Sequence, residues 1–73
     1  MPTPPGNASH DANVQAAELA HQNAAAGGFA SQAAARTADI NRLTAIVNSG
    51  KANGVSTYNA QAALLSIART GNA

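Results

Sequence analysis

The chain has 73 residues, carries four Lys/Arg and three Asp/Glu for a net charge of +1, and contains no cysteine. That length holds one small domain at most, and the missing cysteines exclude disulfides and thiolate metal sites. One excess positive charge and two aromatic residues, Phe29 and Tyr58, exclude the basic footprint and the stacking platform of a nucleic-acid binder.

Residues 1–10 predict an extended, proline-rich tail, because Pro2, Pro4 and Pro5 oppose helix and Gly6-Asn7 adds freedom. Met1–Asn7 has no basic region leading into an apolar run, so no cleavable secretory signal is expected. No stretch approaches the ~18 consecutive apolar residues of a membrane span. Residues 11–73 read as a single helical assembly domain.

The first helix is expected over residues 12–26, with Ser9 or Asp11 as its cap. Its alanines give high helix propensity but a weak apolar face. Gly27-Gly28 then reads either as a C-cap and break or as a soft point inside one longer helix.

A second helix is expected over 29–48. Phe29, Ala33, Arg36, Ile40, Leu43 and Val47 recur at heptad spacing and share one stripe, which Ile46 widens. Arg36 interrupts that seam, with Asp39 as its nearest acid. It reads as a snorkelling arginine on a marginal helix or as a register device between subunits.

Asn48–Gly54 reads as a loop, with Gly50 suited to the C-cap before it. A third helix is expected over 56–70, with Ser56 as its N-cap. Two apolar stripes are expected side by side along it, Tyr58–Ala62–Leu65 and Ala60–Leu64–Ile67. So wide an apolar face calls for neighbours on more than one side. The first stripe is expected to face Ile40, Leu43 and Val47 in the same chain, leaving Leu64 and Ile67 for a second chain. The fold class is therefore all-α: a C-terminal antiparallel helical hairpin preceded by a helical stretch and a tail.

The apolar fraction of 45% overstates the core, because about 20 of the residues are alanine. A monomer is expected to be marginal and dependent on partners. Charged residues make up only 10% of the chain, against about 25% in ordinary soluble domains, and low net charge favours association. The expected self-assembly interface comprises Phe29, Ile40, Leu43, Ile46, Val47, Tyr58, Leu64, Leu65 and Ile67.

Little points to chemistry. Glu18 and His21 have the Glu-x-x-His spacing of di-iron bundles, with His10 and Asp11 nearby. Those sites need two such motifs and more carboxylates than the three present here. The expectation is two solvent-exposed histidines, no metal and no cofactor. No serine, histidine and acid suggest a nucleophilic triad, and no glycine pattern cradles phosphate. An enzyme is not expected. Lys51 and Arg69 read as solvated charges, the latter suited to a helix C-terminus.

The segment from Ala38 to Lys51, ADINRLTAIVNSGK, followed by the helix Thr57–Arg69, resembles the pilin or needle subunits of bacterial type III secretion systems, especially those of plant-associated bacteria. Size, absence of cysteine and a polar N-terminal half are shared. The turn Asn48–Gly54 departs from animal-pathogen needles in having no proline, and their N-terminal tryptophan segment is missing. The resemblance implies a secreted helical homopolymer on the cell surface, with a narrow lumen for unfolded effector proteins. It further implies an export signal in the tail and an export chaperone as partner. Arg36, Lys51 and Arg69 are then candidate register or lumen residues. Two other readings compete: a small helical module that folds on a larger protein, and a membrane-active peptide. Four basic residues are few for the latter.

Overall fold

The computed structural model describes residues 5–71. It contains three helices, α1 (Pro5–Ala26), α2 (Gln32–Asn53) and α3 (Tyr58–Gly71), and no strand among the described residues. The all-helical expectation holds. The boundaries differ from those read in the sequence, each for a local reason.

Helix α1 begins at Pro5, so residues 5–10 of the expected tail are helical, and residues 1–4 lie outside the described residues. Proline is tolerated at a first helical position, where its missing N–H interrupts no intrahelical bond. Ser9 and Asp11 therefore lie inside the helix rather than capping it. Gly27-Gly28 is a true break. Gly28 adopts φ +76°, and its N–H donates to the Ala25 carbonyl at 3.0 Å. Left-handed backbone of this kind strains any residue with a Cβ.

Helix α2 starts at Gln32, not Phe29, because Ser31 is extended and its hydroxyl accepts from the Ala34 N–H at 3.1 Å. This is the standard N-cap bond. The helix then runs through most of the expected loop to Asn53. Gly50 is thus not its cap. Gly54 is, with φ 68°, and the N–H groups of Gly54 and Val55 both reach the Gly50 carbonyl, the latter at 2.9 Å. At the head of α3, Thr57 replaces Ser56 as the residue that organises the first turn. Its carbonyl accepts from the Gln61 N–H and its hydroxyl from the Gln61 side-chain amide, both at 3.0 Å.

Helices α1 and α3 each pack on α2 and not on each other. His10 meets Ser49 and Glu18 meets Arg42, so α1 and α2 run antiparallel. The core is thin. Leu43 and Ala60 are its buried apolar residues, and among the described residues no side chain is completely enclosed.

Candidate functional site

Of the expected stripe on α2, Leu43 is buried and Ile40, Ile46 and Val47 are half-buried, whereas Ala33 and Arg36 are exposed. Phe29 lies before the helix, half-buried, with its ring 6.2 Å from that of His21. Within α2 the seam is therefore covered from Ile40 onward. Asp39 accepts from Arg42 Nε at 3.0 Å, while Arg42 Nη1 donates to Glu18 Oε1 at 2.9 Å. Arg42, bonded to Asp39 and Glu18 together, ties α1 to α2. The Asp39 carboxylate raises the pKa of the guanidinium above its ordinary value and Glu18 adds to this, with burial acting in the opposite direction. No apolar periodicity marks Arg42, so the sequence alone does not single it out.

The histidines are not the exposed pair the sequence suggested. His10 is 7% exposed, and its Nδ1 lies 3.0 Å from Ser49 Oγ. The same hydroxyl accepts from Asn13 Nδ2 at 2.8 Å and, at 3.4 Å, from Asn53 Nδ2. With two amides donating to it, the Ser49 oxygen has its proton left to donate to His10. His21 is half-buried, and its Nδ1 has no hydrogen-bond partner. Glu18 bonds Arg42 instead of joining His21. Among the described residues, no three metal-binding side chains stand together.

Helix α3 reverses the expected roles of its two stripes. Ala60 is buried and Ala63, Leu64 and Ile67 are half-buried, whereas Tyr58 is 77% and Leu65 53% exposed. Nor do the two stripes lie side by side as expected: at 100° per residue they fall on roughly opposite sides of the helix. The intrachain partner takes Ala60–Leu64–Ile67, because close approach at Gly50 and Thr57 brings the small side chain of Ala60 onto α2. The ridge Tyr58–Ala62–Leu65 is left to solvent. Lys51 lies in the last turn of α2 and Arg69 in the last turn of α3, both exposed.

A second surface feature runs along the α1–α2 pair. It is a groove of about 230 Å³ walled by Ala17, Ala20 and Ala24 on one side and Ala38 and Ala45 on the other, with His21 and Arg42 also lining it. A second cleft lies where α2 meets α3, between Ile46, Thr57, Tyr58 and Ala60, with His10 on its border. No helix among the described residues is long and apolar enough to cross a membrane.

No family model, no curated protein and no solved structure matches this chain. The site must therefore be read on its own chemistry. It is an apolar ridge on a lightly anchored helix, together with an alanine groove on the opposite pair.

Proposed function

We propose that this protein is a structural subunit that completes its core by packing against copies of itself. The exposed Tyr58–Leu65 ridge carries this reading. It lies on a helix that contacts only α2 and whose other face already covers that contact. A helix that is apolar on two opposite sides requires a second neighbour, and within the described residues α3 has only one. Low net charge leaves little repulsion between copies.

The fuller form of the proposal is a secreted filament of the type III secretion pilus kind, in which the C-terminal hairpin polymerises around a lumen for unfolded proteins. It rests on the resemblance of residues 38–51 and 57–69 to that class. Arg36, Lys51 and Arg69, all exposed, supply polar positions for a register or a lumen wall.

The test is assembly of the purified full-length chain, followed by light scattering and negative-stain microscopy across a concentration series. Filaments or defined oligomers that disappear in Leu65→Asp are the expected result. A chain that stays monomeric at every concentration and gains order only on adding a larger protein partner overturns the proposal in favour of a binding module.

A further inference from the structure

We propose that Asn53-Gly54 is a self-modification site that the fold holds shut: the chain deamidates at Asn53 when the end of α2 opens, and the product cannot rebuild that end. Asn53 is the one asparagine of the sequence followed by glycine. Without a Cβ on the following residue, nothing bulky keeps the Gly54 nitrogen from the Asn53 side chain in an open chain. The reaction needs water and no enzyme. The Gly54 nitrogen gives its proton to solvent and attacks Asn53 Cγ. A C–N bond closes a five-membered succinimide, and the side-chain nitrogen leaves as ammonia. Water then opens the ring at either carbonyl. The result is a carboxylate on a normal backbone (aspartate) or on one lengthened by a methylene (isoaspartate).

In the folded chain both reacting groups are engaged elsewhere. The Gly54 N–H donates to the Gly50 carbonyl as the cap of α2. Asn53 Nδ2 donates to the Ser49 carbonyl at 2.9 Å and to Ser49 Oγ at 3.4 Å. Those bonds draw the half-buried side chain back along the preceding turn, the direction in which helical side chains lean. The Gly54 nitrogen lies one residue onward, on the other side. Attack therefore waits for local opening of the last turn of α2, and such openings cost less than global unfolding.

The product does not fit the place that Asn53 leaves. A carboxylate has no N–H to donate, so it meets the Ser49 carbonyl as acceptor against acceptor. Its charge also stands at a helix C-terminus, where the dipole disfavours it. A lengthened backbone further shifts Gly54 and Val55 away from the Gly50 carbonyl that both N–H groups share. Ser49 carries the damage to α1, because its hydroxyl also holds the Asn13 amide and lies against His10. One event at the end of α2 thus loosens the turn into α3 and the contact with α1 together. Loss of ammonia makes it one-way.

The full-length chain tests this directly. It is incubated in mildly alkaline native buffer and in guanidinium chloride, then cut after Lys51 and Arg69. The peptide containing residue 53 is resolved into amide, aspartyl and isoaspartyl forms by chromatography and mass spectrometry. A free peptide of the same residues, kept in the same two solutions, corrects for the solvent's own effect. The expected result is deamidation of Asn53 roughly tenfold slower in native buffer than in denaturant after that correction. Equal corrected rates, whether or not circular dichroism shows the chain helical, overturn the protection. The consequence is read from full-length Asn53→Asp, expected to lose helicity and to melt below the parent. A variant as helical and as heat-stable as the parent overturns the damage.

Discussion

Gly50 and Thr57 are in such close contact that a Cβ at position 50 would lie 2.2 Å from Thr57 Cγ2 and 2.7 Å from the Val55 carbonyl oxygen. The glycine sits in the body of α2, where it lowers helix propensity by about 1 kcal/mol relative to alanine. Its presence there follows from packing. The chain turns through Gly54 and comes back over position 50, and only a residue without a side chain lets it pass.

Gly50→Ala is therefore expected to destabilise the protein by about 1–3 kcal/mol, since the obstructing carbonyl belongs to the backbone and cannot rotate aside. Chemical denaturation followed by circular dichroism measures it. Gly54→Ala makes the useful contrast. No atom lies within 4 Å of its added Cβ, yet φ is +68°, so its loss of about 1 kcal/mol reflects conformational strain alone. A Gly50→Ala variant as stable as the parent would contradict the close approach.

Removing Arg42 breaks the link between α1 and α2 through Glu18 and that between neighbouring turns of α2 through Asp39. The side chains involved are 25–39% exposed, so solvent and salt screen both pairs. The expected loss for Arg42→Met is about 0.5–1 kcal/mol, shrinking as salt is raised. A double-mutant cycle with Glu18→Gln isolates the interhelical part. A coupling energy of zero in low salt would show that the pair does not hold the helices together.

The cluster around Ser49 is more deeply covered. Ser49→Ala leaves the buried His10 Nδ1 without its partner, while the exposed Asn13 amide turns to water, an expected loss of about 1–3 kcal/mol. Adding His10→Leu removes the stranded group. The double variant is expected to be less destabilised than the two single losses added together. Thermal melts of the four proteins give the answer, and strict additivity would mean the hydroxyl and imidazole do not interact.

Leu64 and Leu65 are neighbours in sequence with opposite duties. Leu64→Ala, on the covered side, is expected to lower the stability of the single chain by about 1–2 kcal/mol, below the range for a fully enclosed leucine. Leu65→Ala, 53% exposed, is expected to change that stability by less than about 0.5 kcal/mol while weakening association. Paired melts in dilute solution and scattering in concentrated solution separate the two effects. An equal loss of chain stability from both substitutions would show that α3 is not oriented as described.

The division between sequence and tertiary structure follows the range of each interaction. Helix formation was legible in the chain because it is local. Alanine-rich runs favour helix wherever they stand, Tyr58–Ile67 shows helical periodicity, and the apolar inventory was visibly too small for a thick core. Other features depend on residues far apart. His10 is buried because Ser49, 39 residues later, lies opposite it, and no feature of residues 5–26 alone announces that. Whether Gly27-Gly28 breaks the helix was open in the sequence, since glycine permits positive φ without requiring it. Gly50 reads as a cap by composition and becomes a packing site once the backbone returns over it. The choice between the two faces of α3 was likewise undetermined, because both stripes are apolar at the same spacing. The close approach at Gly50 and Thr57 selects the face that carries Ala60, and so sends Tyr58 and Leu65 outward.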